Sequence, residues 1–563
     1  MGQKIVVIGG VSAGTKAASR ARRRDPQADI VVLEKGEALS YAGCGTPYFI
    51  AGTIPDYKDL MATPAGVLRD GAFFRNVKAV TVRNRTLAET IDRKKKVVRA
   101  VDLETGERGA FPYDRLVLAT GSRPIRPSIP GMELSGVYVL GNLDDARAIR
   151  AEIESGVRTI AIVGGGLIGM EVAESLTERG SAVTVVEQKD HVLPYLLDPE
   201  MALLAEKHLR QKKVSLLTTT SVLRFAGDDR GRVARVLTDR GEIPAELVLV
   251  AAGVRPDVSL AREAGLVIGP LGGIVVDDAL RTSDPDIFAG GDCVENRHLL
   301  TGAPVYAPLG STANKHGRVI GDNLTGGATR YPGVLGTVIL KVFDFNVGCT
   351  GLSEQAARRA GFDVETALVA GPDRAHYYPG SKTLFLKGVA DRATGRLLGV
   401  QAIGPGDAAK RIDTAAVAIA HGIPLHEIAM SDLSYAPPYS NALDNLVHLA
   451  TTLENKIAGL AAAYTPFEVR AKIDRGDEFV MLDVRTPAEH REARIDDPRM
   501  RFIPLGKLRE RAAELPRDRE IVAYCKTSLR AYEAQRILEG TGLSAVKFLD
   551  GGIAYWPFEL ARE

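Results

Sequence analysis

Ile160-Ala161-Ile162-Val163-Gly164-Gly165-Gly166-Leu167-Ile168-Gly169 decides the fold. Four apolar residues read as a buried strand, and a complete GxGxxG follows before a helix-compatible run from Met170 to Arg179. Glycines there allow a tight turn, a close approach of backbone to a pyrophosphate and close helix–strand packing, while the helix N-terminus stabilises the phosphate charge. The next strand, Val183-Thr184-Val185-Val186, ends in Glu187. A carboxylate at that point accepts from a ribose diol and repels a 2′-phosphate. Gly164, Gly166, Gly169 and Glu187 are therefore expected to hold a nicotinamide dinucleotide, NADH ahead of NADPH, with Lys189 keeping NADPH open.

The pattern also opens the chain. Residues 4–8 read as a strand, Gly9-Gly10-Val11-Ser12-Ala13-Gly14 as the turn, and Ile30-Val31-Val32-Leu33 as a second strand ending in Glu34. Val11 replaces the middle glycine, so this turn by itself suits other α/β proteins equally; two such units in one chain are far more specific. Gly9, Val11, Gly14 and Glu34 are the expected contacts to a second dinucleotide. Between the units lies Ser40-Tyr41-Ala42-Gly43-Cys44-Gly45-Thr46-Pro47-Tyr48, one cysteine flanked by glycines. The helix before it carries Arg20, Arg22, Arg23 and Arg24, either a solvated face or a grip on a phosphate-rich substrate.

With 563 residues, 45% apolar and 25% charged, the chain has material for several domains, and a net charge of +2 gives no drive toward nucleic acid or a membrane surface. No apolar run approaches the roughly 18 residues of a membrane span. Ile5 to Ile8 is too short for a signal peptide and lacks a cleavage site. The four cysteines, Cys44, Cys293, Cys349 and Cys525, contain no CxxC pair, which argues against a disulfide framework or a metal site and for a reducing, cytoplasmic setting. Cys293 and Cys349 read as small buried hydrophobes.

Further on, Leu116-Val117-Leu118-Ala119-Thr120-Gly121-Ser122 and Leu247-Val248-Leu249-Val250-Ala251-Ala252-Gly253 are buried strands with glycine exits, and Thr282 runs to Gly290-Gly291-Asp292. Together these stretches resemble the FAD- and NAD(P)H-dependent pyridine nucleotide-disulfide oxidoreductases over roughly residues 1–450. The resemblance implies that Asp292 binds the FAD ribityl chain, that Thr120, Gly121 and Gly253 line the cofactors, and that Cys44 is a redox thiol against the flavin. One cysteine in place of a CxxxxC pair is similar to the branch containing coenzyme A disulfide reductases, NADH oxidases and NADH-dependent persulfide reductases; Gly43 stands where asparagine is usual. By the same resemblance Tyr377 and Tyr435 reach the partner subunit's site in a homodimer, and coenzyme A meets Arg20, Arg23, Ser40 and Arg75.

A new pattern follows residues 447–464, which read as a helical connection. Phe479 to Arg485 contains a strand ending in Asp483-Val484-Arg485, and Ile521-Val522-Ala523-Tyr524 leads into Cys525-Lys526-Thr527-Ser528-Leu529-Arg530 and a helix. A cysteine among strand-to-helix N–H dipoles, beside Lys526 and Arg530, is set to act as a thiolate. With Asp550-Gly551-Gly552 the segment resembles a rhodanese domain, Ala493-Arg494-Ile495 standing for its usual Gly-His-Ile, and the resemblance makes Cys525 a persulfide carrier assisted by Arg530. The expected architecture is α/β: a discontinuous FAD domain (1–112 and 246–325), an NAD domain (113–245), an α+β dimerisation domain (326–446), a linker (447–464) and an α/β rhodanese domain (465–563). The expected activity is NAD(P)H-dependent reduction of persulfide, polysulfide or coenzyme A persulfide through Cys44, with Cys525 supplying sulfane sulfur. Coenzyme A disulfide reduction, oxygen reduction and a non-catalytic C-terminal sensor are the rival readings.

Overall fold

The computed structural model describes residues 2–562, which form two compact units: 2–189 with 214–334, and 190–213 with 335–562. The first unit is built twice on one plan. Lys4–Ile8 lies inside a five-stranded parallel sheet in the order Ile287–Ala289, Arg115–Leu118, Lys4–Ile8, Asp29–Leu33, Thr81–Arg83. Thr159–Val163 holds the same place in a second parallel sheet, ordered Ser215–Leu217, Ala182–Val186, Thr159–Val163, Leu247–Val250, Val137–Val139. Each half carries a three-stranded antiparallel meander, 86–112 in the first and 222–244 in the second.

The apolar runs are continuous because both sheet faces are covered. Ile5 and Val7 pack with Ala17, Ala18 and Ile320, while Val6 and Ile8 pack with Leu116, Val98 and Ile274 on the other side. The helices Ala13–Arg24 and Gly310–Asn323 touch backbone to backbone. A Cβ on Gly317 would stand 2.5 Å from the Ala13 carbonyl oxygen, and one on Gly321 2.8 Å from that of Ala17.

The second unit joins an antiparallel sheet, in the order Val338–Val342, Phe345–Gly351, Arg396–Gly404, Thr383–Asp391, Val364–Pro372, to a parallel C-terminal sheet. The C-terminal order is Ala463–Tyr464, Val546–Leu549, Glu520–Tyr524, Phe479–Asp483, Met500–Phe502.

These pairings move four expected boundaries. Arg115–Leu118 bonds to Lys4–Ile8 and so leaves the expected NAD segment, whereas Leu247–Val250 bonds to Thr159–Val163 and enters it. Residues 190–213 leave it too, because Asp198 and Glu200 meet the buried Lys387 amine in the antiparallel sheet, at 3.2 and 3.1 Å. The expected linker is structured. Asn445–Ile457 is a helix on the strands Val364–Pro372 and Thr383–Asp391, and Ala463–Tyr464 is already a strand of the last sheet.

Candidate active site

The two glycine turns have one geometry. A Cβ on Gly9 would sit 2.0 Å from the Ala119 carbonyl oxygen and one on Gly14 1.9 Å from that of Gly9; in the second turn Gly164 meets Ala251 at 2.4 Å and Gly169 meets Gly164 at 2.1 Å. Gly9 and Gly164 have φ of 109° and 113°, a region that glycine alone enters readily. Glu34 accepts from the Gly10 and Gly36 N–H groups at 2.6 and 2.7 Å, and Glu187 from those of Gly165 and Lys189 at 2.7 Å each. Each carboxylate is thus aimed at its own glycine turn. At Gly166 the space a Cβ would take is open, while Val11 stands at the corresponding place in the first turn. Gly121 and Gly253, with φ of 73° and 98°, turn the chain just beyond their strands. The Thr120 hydroxyl donates to the Asp257 carbonyl at 2.6 Å, so it shapes the turn from within.

Cys44 lies in a single 3-10 turn, Gly43–Gly45, ahead of the helix Thr46–Ala51. The loop is bound to the first glycine turn, Ser40 N–H donating to the Gly10 carbonyl at 2.9 Å. Thr46 Oγ1 donates to the Gly43 carbonyl at 2.8 Å. The thiol is exposed and faces the start of the helix Gly310–Asn323, where a Cβ on Gly310 would lie 3.7 Å from Sγ. Burial of its surroundings, then the Glu171 and Asp292 carboxylates, push the thiol above its usual range, and the Gly310 N–H pulls it back. Asp292 accepts from Ser122 Oγ at 3.1 Å, and its carboxyl is itself raised by burial. The turn carrying it is held by His316, whose Nδ1 accepts from the Gly291 N–H at 3.1 Å; burial lowers that imidazole to about 4.

Arg20 is committed to Asp322 at 2.6 Å, so its guanidinium braces two helices; Arg23 and Arg75 are exposed. Ser40 adopts φ 49°, and its carbonyl and hydroxyl face Arg69 at 2.9 and 3.4 Å, a cation the sequence reading passed over. Tyr377 and Tyr435 are exposed in the second unit, and the nearby Tyr435 hydroxyl raises Tyr377. Arg530 is bound bidentately by Glu489 at 2.7 and 2.8 Å, so its charge at Cys525 is shared, and the same contact holds Glu489 down to about 2. Cys525 is buried where the strand Glu520–Tyr524 ends. The Asp550-Gly551-Gly552 stretch closes over it: Ile553 N–H donates to the Cys525 carbonyl at 2.9 Å and Gly551 N–H to Ser528 Oγ at 2.6 Å. Ser528 has φ 81°, a strained corner at the start of the helix Leu529–Glu539. Cys293 is fully buried and Cys349 is pushed up to about 12 by burial, so neither is poised as a nucleophile.

The family model described as pyridine nucleotide-disulphide oxidoreductase matches residues 3–311, that of its dimerisation domain 337–447, and that of a rhodanese-like domain 465–557. The chain belongs to the pyridine nucleotide-disulphide oxidoreductases. It is similar to the NAD(P)H coenzyme A polysulfide/persulfide reductase of Pyrococcus horikoshii, 39% identical over 456 residues, 81% of this chain and 99% of that protein. The solved NAD-dependent persulfide reductase from A. fulgidus is 44% identical with a TM-score of 0.94, over 98% of this chain and 100% of that one. The reduced Bacillus anthracis CoADR-RHD structure is 34% identical with a TM-score of 0.92, over 99% and 98%. The resemblance and fold class read from the motifs hold, including the C-terminal rhodanese-like domain. Glu171, His316 and Glu489 were missed. Glu171 had a readable signal: it follows the second glycine motif, with no cation three or four residues to either side.

Proposed function

We propose that this oxidoreductase uses NAD(P)H and FAD to reduce the S–S bond of a persulfide, polysulfide or coenzyme A persulfide through Cys44, with Cys525 carrying sulfane sulfur to that chemistry. The observation that carries this reading is that Cys44 alone of the four thiols is exposed, in the same unit as both glycine turns and at a helix N-terminus. The residues present suit FAD. Near Asp292, His316 Nε2 is buried without a hydrogen-bond partner among the described residues, the buried Tyr306 hydroxyl faces Asp292 and Ser122, and the first glycine turn with Glu34 offers a pyrophosphate and ribose cradle. Bound FAD supplies the two-electron relay between a nicotinamide and a disulfide. Gly164, Gly166, Gly169 and Glu187 hold the nicotinamide dinucleotide, and Glu187 favours NADH.

The protein's own residues then do the sulfur chemistry. The Cys44 thiolate attacks one sulfur of the substrate, a mixed disulfide forms on Cys44, and a thiolate or hydrosulfide leaves. The substrate's thiol serves as the second sulfur, so one protein cysteine suffices. Arg23, Arg75 and Ser40 are assigned to coenzyme A phosphates, and Tyr377 and Tyr435 to the partner subunit's site in a homodimer. At the C-terminal site the 526–528 N–H groups and Arg530 stabilise a Cys525 persulfide. Four free thiols suit a reducing, cytoplasmic compartment.

Anaerobic NADH oxidation with coenzyme A persulfide, coenzyme A disulfide and, separately, oxygen tests the substrate. The persulfide is expected to turn over fastest, and Cys44→Ser to abolish turnover. A faster reaction with coenzyme A disulfide would move the assignment to that rival, which the exposed tyrosine pair equally suits. Unchanged thiosulfate-dependent sulfur transfer in Cys525→Ala would remove the carrier role.

A further inference from the structure

The helices Thr46–Ala51 and Leu167–Glu178 run side by side in the same sense. Arg179, just past the second helix, donates to the Ile50 carbonyl at 3.0 Å, and one turn earlier Ser175 Oγ donates to the Pro47 carbonyl at 3.0 Å. Side chains four apart share a helix face, so the next step back along this ladder pairs Glu171 with residue 44. The electrostatics agree: the Glu171 carboxylate raises both Cys44 and Tyr48.

Among the described residues nothing neutralises Glu171. Its carboxylate makes no hydrogen bond or ion pair among the described residues, and the strands beneath its helix, Thr159–Val163 and Ala182–Val186, carry no titratable side chain. The titratable groups facing it are Cys44, Tyr48 and Glu174, none of them a cation. Burial, then Glu174, lifts the Glu171 carboxyl to about 7. A group half-protonated near neutrality suits both accepting and returning a proton.

We propose that Glu171 is the proton carrier of the Cys44 site: its carboxylate takes the thiol proton as Cys44 attacks, and the resulting acid returns that proton to the departing thiolate. This rests on Cys44 being the attacking thiol. The step balances without an added oxidant or reductant. The Cys44 S–H bond and the substrate S–S bond break, a Cys44–S–S–R bond and an R′S–H bond form, and the Glu171 carboxylate is regenerated.

The leaving group decides the matter. In the FAD-loaded enzyme, an alkyl thiolate leaving from coenzyme A disulfide needs a proton, whereas nitrothiobenzoate leaving from dithiobis(nitrobenzoate) does not. Glu171→Gln is expected to slow attack on coenzyme A disulfide about a hundredfold, while attack on the aromatic disulfide, which loses the base but needs no returned proton, slows distinctly less. Glu171→Asp recovers part of the loss. Iodoacetamide alkylation of Cys44 against pH supplies a second readout, and its midpoint falls in Glu171→Gln. Equal slowing of both disulfides, no slowing of either, or an unmoved alkylation midpoint overturns the proposal. If the wild-type enzyme modifies neither disulfide at Cys44, the assignment of Cys44 itself fails.

Discussion

His316 and Glu187 each fix a backbone turn with a single side chain. The His316 ring must stay neutral for Nδ1 to accept from Gly291, and burial lowers it from its ordinary value to about 4. The unfolded chain therefore binds more protons than the folded one between about pH 6.5 and pH 4. Stability from this group is complete above that window and is lost as pH falls through it, by about 3 kcal/mol. His316→Asn keeps an acceptor in place of Nδ1, so its denaturation curve is expected to lose this part of the pH dependence; an unchanged slope between pH 6.5 and 4 would refute the assignment. Glu187 accepts two backbone N–H bonds, and in the proposed nicotinamide site its carboxylate repels a 2′-phosphate. Glu187→Gln is expected to narrow the NADH-over-NADPH preference in kcat/KM by about tenfold, read from paired steady-state assays. The two glycine turns, with Glu34 and Glu187 aimed at them, were legible because turn geometry restricts what can stand there. Glu171 and His316 were not singled out, because their roles depend on which helix faces which, and that is a tertiary fact.

At the scale of elements, strands were the most legible part and their partners the least. Arg115–Leu118 and Leu247–Val250 are both apolar runs with glycine exits, and only pairing tells which sheet each completes. The helix Pro199–Gln211 follows the second nucleotide fold in sequence, yet its start is fixed by charge. Lys387, 1% exposed, meets Asp198, Glu200 and Glu354 at 3.2, 3.1 and 2.8 Å. Those three carboxylates hold the amine above its ordinary range against the cost of burial. Removing one partner of a buried ion cluster leaves the rest uncompensated, at about 3–5 kcal/mol. Lys387→Ala is expected to lose that amount in denaturant unfolding; a change below about 1 kcal/mol would show the cluster to be solvated. The segment 447–464 shows the same dependence on packing. Its alanines and leucines read as helix correctly, but Asn445–Ile457 has an apolar face that packs on the antiparallel sheet.

Across the second unit, the C-terminal domain is joined to the antiparallel sheet by specific bonds. Lys456 meets Asp550 at 2.6 Å with both side chains buried, Asp550 accepts from the Leu368 N–H at 3.2 Å, and Tyr555 Oη donates at the Val369 and Leu386 carbonyls, at 3.0 and 2.9 Å. Asp550 was read as a landmark of the rhodanese-like domain; it also anchors that domain. The two parts are expected to melt in one calorimetric transition, and Lys456→Ala to split or broaden it; separate transitions in the wild-type protein would contradict the anchoring. The account as a whole turns on Cys44. Acid-quenching the anaerobic enzyme during NADH-driven turnover with coenzyme A persulfide, and mapping adducts by mass spectrometry, tests it most directly. The account predicts a coenzyme A mixed disulfide or a persulfide on the Cys44 peptide that forms and decays with turnover. Turnover with Cys44 unmodified at every quench time would contradict it.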